Sequence, residues 1–372
     1  MSSSRAGRSL ALVLSVLLGA AASVAACGSS DAATDSAGGD GADGGRDSAS
    51  NARTDSGTVE SDGATSSDSS AAADTAPPPP TTPVHFVAIG DQGKGCASAT
   101  DGQCVVAAAI EAKCKAAPCD FGLLLGDNIY PSGATSATDT VFQTVFEEPY
   151  KNLSFPFYVV LGNHDYGGNG LGNEFGKGQN EIDYTAHSTK WKLPANHYHQ
   201  VFGNGALELF ATDTNLAMYS KDAPQRPDLK SWIAASTATW KIALGHHPYL
   251  SNGTHGNAGC YDALVGQCIL SIPPANGSGV KSFLDDVMCG KVDVYLSGHD
   301  HSRQWMKDTC QGTELIVSGG GASTTELPGK NDTHFAKAEI GFLYVTIDGK
   351  TLTAEFINGQ GNVDFSRTLT KP

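Results

Sequence analysis

Short apolar runs recur along the chain from residue 84 onwards, and most of them end at a glycine that is followed by a polar residue. Continuous apolar runs of this length are typical of strands that are buried on both faces of a sheet. The runs cover residues 84–90, 121–126, 157–162, 206–212, 240–245 and 292–298. The pattern therefore predicts a sheet-rich core that begins near residue 84.

Helical patterns separate several of these runs. They cover residues 105–117, 139–148, 228–235 and 280–289. Alternation of buried strands with helices predicts a layered α/β architecture. Three further apolar segments follow, at residues 315–318, 342–347 and 351–357. The dipeptide Asp348-Gly349 lies between the last two segments and predicts a β-hairpin there.

The first 27 residues form a separate unit. Arg5 and Arg8 precede an apolar stretch at 10–26, and Cys27 follows directly. A short apolar region with a basic flank and a small-residue exit predicts a signal peptide rather than a spanning helix. Residues 24–27 resemble a bacterial lipobox. We therefore expect export to the cell envelope with a lipid anchor on Cys27, and an ordinary signal peptide with a chance cysteine is the alternative.

Residues 28–83 consist almost entirely of Ser, Ala, Gly, Asp and Thr, and four prolines occupy positions 77–80. Ten acidic residues and two arginines give this segment a net charge of −8. Its apolar area is too small to offset the entropy lost on ordering. The composition predicts a disordered acidic linker that is stiffened by the prolines. Residues 84–372 are then expected to form the folded domain.

The overall charge narrows the classes of function. The chain of 372 residues has 24 Lys and Arg against 39 Asp and Glu, a net charge of −15. Nucleic acids and anionic lipids are bound by basic surfaces, so neither partner is expected. No second hydrophobic stretch is long enough to span a bilayer, which leaves Cys27 as the expected membrane attachment.

Eight cysteines remain after Cys27, and an even number in an exported protein predicts disulfides. A zinc site is disfavoured because no two cysteines have the CxxC spacing. Eight cysteines allow 105 pairings, so no pairing follows from the count. Proximity in sequence favours Cys96–Cys104, Cys114–Cys119, Cys260–Cys268 and Cys289–Cys310.

Five polar blocks follow the predicted strands. They are Gly90-Asp91-Gln92-Gly93, Gly126-Asp127-Asn128-Ile129-Tyr130, Gly162-Asn163-His164-Asp165, Gly245-His246-His247-Pro248 and Gly298-His299-Asp300-His301. Ligands of open α/β sheets bind at the carboxyl ends of the strands. Carboxylate, phenol, amide and imidazole donors together suit Zn, Fe or Mn. Seven candidate ligands exceed the need of one ion, and a carboxylate such as Asp127 can bridge two.

The order and composition of these blocks resemble the metallophosphoesterase superfamily, and within it the small, tartrate-resistant type of purple acid phosphatase. The distinguishing residue is Tyr130, three positions after Asp127. The resemblance covers roughly residues 84–370 and includes segments 184–188, 318–321 and 341–345. It implies a four-layer αββα sandwich, with two mixed β-sheets flanked by helices and the active site at the carboxyl ends of the strands.

The resemblance also implies a role for each site residue. Asp91, Tyr130 and His301 would hold Fe(III). Asn163, His246 and His299 would hold Fe(II), Zn(II) or Mn(II), and Asp127 would bridge the two ions. His164 and His255 would bind phosphate and protonate the leaving group. Three neighbours receive lesser roles: His247 as a packing residue, Asp165 as a hydrogen-bonding support of the His164 loop, and Asp300 as a residue facing away.

The implied activity is that of a monomeric acid phosphatase, which hydrolyses small phosphate monoesters by attack of a metal-bound hydroxide with histidine-assisted protonation of the leaving group. A metallophosphodiesterase or nucleotidase on the same scaffold is the first alternative. A non-catalytic surface lipoprotein that binds metal or an anion is the second. Tyr130 and His255 argue against the first, and the seven filled ligand positions argue against the second.

Overall fold

The structure, a computed structural model, describes residues 81–262, 268 and 276–372. The predicted signal peptide with Cys27, and residues 28–80 of the predicted linker, lie outside the described residues. No helix in the described part of the chain combines the length and the apolar character needed to cross a membrane.

Fourteen strands and five α-helices are described. The strands are β1 (Val84–Ile89), β2 (Phe121–Leu125), β3 (Phe157–Val160), β4 (Trp191–Lys192), β5 (Tyr198–Phe202), β6 (Leu207–Ala211), β7 (Trp240–Leu244), β8 (Val294–Ser297), β9 (Arg303–Met306), β10 (Glu314–Ser318), β11 (Thr333–Lys337), β12 (Gly341–Asp348), β13 (Thr351–Asn358) and β14 (Val363–Thr370). The helices are α1 (Gly102–Ala116), α2 (Lys177–Tyr184), α3 (Thr214–Met218), α4 (Gln225–Ala235) and α5 (Ser278–Val287).

The strands form two mixed sheets of seven strands each. The first has the order β14-β13-β12-β1-β2-β3-β4, and the second has the order β11-β9-β10-β8-β7-β6-β5. In the first sheet β1 to β4 are parallel, and β12 pairs antiparallel with β1. In the second sheet β6, β7, β8 and β10 are parallel. Each of the six leading apolar runs contains one of these strands, which confirms the predicted sheet-rich core.

Alternate residues of the second sheet face different layers, because side chains along a strand point to opposite faces. Leu209 on β6 and Ile242 on β7 pack in a cluster with residues of the first sheet. Their neighbours Phe210 and Ala243 pack in a second cluster with α4 and α5. Val106 of α1 belongs to the first cluster. The expected four-layer arrangement of two sheets flanked by helices is therefore confirmed.

Several elements differ from the predictions. The helical segment predicted at 139–148 covers only residues 141–147, is π-helical over Gln143–Glu147, and ends shortly before Pro149. Strand β9 begins with the fully buried Arg303, so no apolar run marks it. The Arg303 guanidinium is paired with Glu339 at 3.0 Å and with Asp364 at 2.6 Å, which offsets the cost of its burial. The edge strand β14 alternates partly buried with exposed residues, so its polar composition also contains no apolar run that would predict a strand.

The hairpin and the disulfides agree with the sequence. Strands β12 and β13 pair from Gly341↔Asn358 to Asp348↔Thr351, with Gly349 in the turn. The cysteines form the four pairs that sequence proximity favoured, Cys96–Cys104, Cys114–Cys119, Cys260–Cys268 and Cys289–Cys310.

Removal of the longest disulfide loop is expected to destabilise the fold most. Cys289 and Cys310 are 21 positions apart and buried. The chain-entropy relation gives about 3 kcal/mol for this loop and about 2 kcal/mol for the loop closed by Cys114 and Cys119. We expect the double variant Cys289→Ala/Cys310→Ala to lose more free energy of unfolding in urea than Cys114→Ala/Cys119→Ala. Equal losses would contradict this expectation.

Candidate metal centre

The polar blocks come together where the carboxyl ends of the parallel strands of both sheets meet. The loops after β1, β2 and β3 come from the first sheet, and the loops after β7 and β8 come from the second. Gly298 is needed at this junction, because a Cβ there would lie 2.6 Å from Asp91 Oδ2. Asp91, Asp127 and His299 have φ angles of 61°, 53° and 69°. Three non-glycine residues in the left-handed region indicate a locally strained backbone that the packing around it must hold.

A first group of donors surrounds the Tyr130 hydroxyl. Its oxygen lies 3.3 Å from Asp91 Oδ1, 3.0 Å from Asp127 Oδ2 and 3.1 Å from His301 Nε2. His301 Nε2 lies 3.5 Å from Asp91 Oδ1. Four side chains from three loops therefore direct oxygen and nitrogen atoms at one small volume.

A second group surrounds His246 Nε2. This nitrogen lies 3.0 Å from Asn163 Oδ1, 3.3 Å from Asp127 Oδ1 and 3.1 Å from His299 Nδ1. The Asn163 amide is oriented by a hydrogen bond from its Nδ2 to the carbonyl of Gly170 at 2.8 Å. This bond leaves Oδ1 directed at the group.

Asp127 belongs to both groups. One carboxylate oxygen contacts Tyr130 of the first group, and the other contacts His246 of the second. The structure thus brings together all seven residues that the sequence proposed as ligands: Asp91, Asp127, Tyr130, Asn163, His246, His299 and His301. Among the described residues, Asp127, His246 and His299 also have donor atoms close enough together to hold one ion.

Burial and mutual contact set the charges of this cluster. Burial raises the pKa of the Asp91 carboxyl well above its usual value. Burial acts in the same direction on Asp127, but the charges and hydrogen bonds of His246 and His164 together outweigh it and lower the Asp127 pKa. The Asp127 carboxylate in turn raises the pKa of His246 to about 9, against the effect of burial. The proton on His246 is stabilised by surrounding oxygen atoms, as a metal cation would be.

The remaining donors have the chemistry of metal ligands. Burial lowers the pKa of His299 well below its usual value, and burial with the nearby Lys94 lowers that of His301 to about 4. Both imidazoles are therefore neutral near pH 7 and keep a lone pair. Carboxylate, phenol, amide and imidazole donors fit Fe, Zn or Mn better than Ca or Mg. The residues thus fit two ions that share Asp127.

His164 and His255 flank the two groups. The His164 ring lies 4.3 Å from that of Tyr130, with Nε2 3.9 Å from Asp127 Oδ2 and Nδ1 2.7 Å from the carbonyl of Pro131. The His255 ring lies 4.1 Å from that of His299, and its Nδ1 lies 2.8 Å from Asp262 Oδ1. Both side chains are partly exposed, so both are accessible to a molecule at the cluster.

Three neighbours of the cluster support it. The buried His247 has its Nδ1 2.9 Å from Thr214 Oγ1 and packs against His246 and His299. Asp165 accepts backbone hydrogen bonds from Asn128 at 2.8 Å and from Gly162 at 2.7 Å, and so joins the loops after β2 and β3.

The third neighbour is Asp300, whose carboxylate faces the loop of His255 instead of the donor cluster. It accepts a hydrogen bond from the backbone nitrogen of His255 at 2.9 Å. It therefore fixes the loop that carries this histidine.

The sequence did not predict one series of side-chain contacts near the cluster. Lys94 Nζ donates to Ser323 Oγ at 2.8 Å, and Ser323 Oγ lies 3.0 Å from His301 Nδ1. Lys94 also lies 5.0 Å from the centre of the Tyr130 ring. Ser323 follows the glycine-rich segment 318–321, which was the one signal in the sequence that pointed to this region.

Known proteins resemble this chain in sequence and fold. Tartrate-resistant acid phosphatase type 5 of Sus scrofa is 29% identical over 327 residues, covering 78% of this chain and 88% of that protein. The structure of GAP50, the anchor in the inner membrane complex of Plasmodium, superposes with a TM-score of 0.61 at 21% identity, covering 77% of this chain and 89% of that one. Purple acid phosphatase PPD1 from yellow lupin superposes with a TM-score of 0.60 at 21% identity, covering 78% of this chain and 54% of that one.

A family model gives the most direct assignment. The calcineurin-like phosphoesterase model, Metallophos, matches residues 84–303, which is more than half of the chain. The matched region contains both donor groups and both flanking histidines. The chain therefore belongs to the calcineurin-like phosphoesterase family.

Proposed function

We propose that this protein is a binuclear metal-dependent acid phosphatase that hydrolyses phosphate monoesters. The observation that carries the proposal is the shared position of Asp127, whose two oxygens contact two separate groups of donors. The family assignment and the similarity to tartrate-resistant acid phosphatase type 5 support it.

Each donor group suits a different ion. Asp91, Tyr130 and His301 would hold Fe(III), because a carboxylate and a phenolate are hard, anionic ligands. Asn163, His246 and His299 would hold Fe(II), Zn(II) or Mn(II), because an amide and two imidazoles contribute no anionic ligand and favour a divalent ion. When bound, the two ions would generate the nucleophile from water and neutralise charge on the phosphoryl oxygens.

The flanking histidines provide the remaining chemistry. A phosphate monoester at the cluster would lie between His164 and His255, since their rings contact opposite groups through Tyr130 and His299. The carbonyl of Pro131 and the carboxylate of Asp262 engage the two Nδ1 atoms. Each Nε2 is then left for the substrate. A protonated imidazole there can donate its proton to the leaving alkoxide.

A phosphodiesterase is the alternative on the same scaffold. Tyr130 within the first group and His255 beside the second favour the monoesterase. We also propose that the protein is exported, and the four disulfides among the described residues support an oxidising compartment. The lipid anchor on Cys27 stays part of this proposal.

Loss of the shared carboxylate is expected to abolish activity. Asp127→Asn keeps the size of the side chain but removes the negative charge between the two donor groups. We expect kcat/KM for phenyl phosphate to fall by more than about a hundredfold and the bound metal to fall below two ions per chain. Asp348→Asn, an exposed site at the end of β12, is the control. Full activity with an unchanged metal content would contradict the proposal.

Loss of His255 is expected to depend on the leaving group. An alkoxide needs a proton to leave, whereas 4-nitrophenolate leaves readily without one. We expect His255→Asn to lower kcat about 10²-fold for an alkyl phosphate and less than about tenfold for 4-nitrophenyl phosphate. His334→Asn, on the exposed side of β11, should change neither rate. Equal losses on both esters would remove His255 from the role of proton donor.

Monoesters are expected to react faster than matched diesters. The dianion of a monoester complements two adjacent cations better than the monoanion of a diester does. We expect kcat/KM for 4-nitrophenyl phosphate to exceed that for bis(4-nitrophenyl) phosphate. A higher value for the diester would favour the phosphodiesterase alternative.

A further inference from the structure

A cleft of about 160 Å³ opens beside the second donor group, with Asn163 and His299 in its wall. Its other walls carry Leu171, Met218 and Tyr219. A phosphoryl group at the donor cluster would direct the rest of its ester into this space. The cleft is therefore placed to contact the leaving alcohol.

Leu171 gives the cleft an apolar rim. Leu171 is 55% exposed, and the other exposed large apolar residues in the described part of the chain, Val363 at 51% and Val201 at 46%, lie on edge strands β14 and β5. When an apolar ligand covers an exposed leucine, the burial of apolar surface stabilises the complex. Its position thus favours an apolar leaving group.

The backbone fixes Leu171 in this position. The carbonyl of Gly170 accepts the hydrogen bond from the Asn163 amide at 2.8 Å, so the residue before Leu171 is attached to the donor cluster. The carbonyl of Leu171 accepts a hydrogen bond from the Tyr219 hydroxyl. Asn215 Nδ2 donates to the carbonyl of Gly172 at 2.9 Å. A backbone held in this way loses little freedom when a ligand binds.

The charge and size of the cleft restrict the occupant further. Among the described residues that line it there is no Lys or Arg, and the carboxylate is that of Asp262. His255 also lines the cleft, and its imidazole is already paired with this carboxylate at 2.8 Å. A further negative charge on the leaving group would therefore meet the Asp262 carboxylate with no Lys or Arg among the described lining residues to balance it. An apolar cavity of about 150 Å³ is known to hold benzene, so the volume suits a single ring.

We propose that this cleft is the leaving-group subsite, and that it selects phosphate monoesters of apolar or single-ring alcohols over monoesters that carry further negative charge. The inference rests on the proposed phosphatase function. It adds Leu171 as a residue that determines specificity, apart from the donor cluster itself.

A series of n-alkyl phosphates from ethyl to hexyl tests the apolar contact in the purified holoprotein. The acidity of these alcohols hardly changes along the series, so differences in kcat/KM report contacts of the chain. We expect kcat/KM to rise by up to about fourfold for each methylene that becomes buried. Leu171→Ala should flatten the series. Val201→Ala is the matched control, and a flat series in the parent protein would overturn the inference.

A pair of aryl esters tests the charge. We expect phenyl phosphate to exceed 4-carboxyphenyl phosphate in kcat/KM, and Leu171→Lys to reverse or abolish this preference. An unchanged ratio in Leu171→Lys, or equal rates in the parent protein, would overturn the assignment of the cleft.

A binding measurement separates this inference from the proposed function. Phenylphosphonate and methylphosphonate are not hydrolysed, and calorimetry on the holoprotein gives the Kd of each. We expect phenylphosphonate to bind more tightly, and Leu171→Ala to remove the difference. Hydrolysis of every monoester with equal Kd values would overturn the subsite alone. Absence of hydrolysis of any monoester, with no binding of either phosphonate, would overturn the proposed function together with the subsite.

Discussion

The site depends on the burial of two carboxylates where the two sheets meet. Asp91 and Asp127 are almost completely inaccessible, and among the described residues both form ion pairs only with imidazoles. A buried carboxylate costs several kcal/mol unless a counter-charge lies beside it. Two metal ions in the positions proposed here would supply that charge. The cluster is thus a source of both function and local instability.

The surrounding fold holds this cluster in place. The backbone nitrogen of His299 donates to Asp91 Oδ2 at 2.8 Å, which joins the loop after β8 to the loop after β1 across the two sheets. Asp165 joins the loops after β2 and β3, and Asp300 holds the segment of His255. The two apolar clusters of the sandwich stabilise the sheets from which all these loops arise. Donors fixed in this manner need little rearrangement to receive an ion or a phosphoryl group.

The phosphoryl group and the leaving alcohol would contact different parts of the structure. The phosphoryl group would meet polar atoms at the ends of buried strands, where position is most constrained. The leaving alcohol would meet Leu171, on a loop that can vary without disturbing the sheets. In this proposal the general chemistry would reside on the scaffold and the choice of substrate on a loop.

The sequence by itself determined the strands that carry the site and the chemical types of the seven donors, and it favoured the pairing of cysteines close in the chain that the structure then showed. Apolar runs and strand-end glycines are local signals, since each reflects the environment of a few consecutive residues. Only the tertiary structure decided which atoms meet. The contact between Lys94 and Ser323 spans 229 positions, and that between Asp91 and His299 spans 208. Local signals could not predict strand β9 or the cleft at Leu171 either. Arg303 is buried through partners distant in sequence, and Leu171 is held beside the donor cluster by a contact with Tyr219.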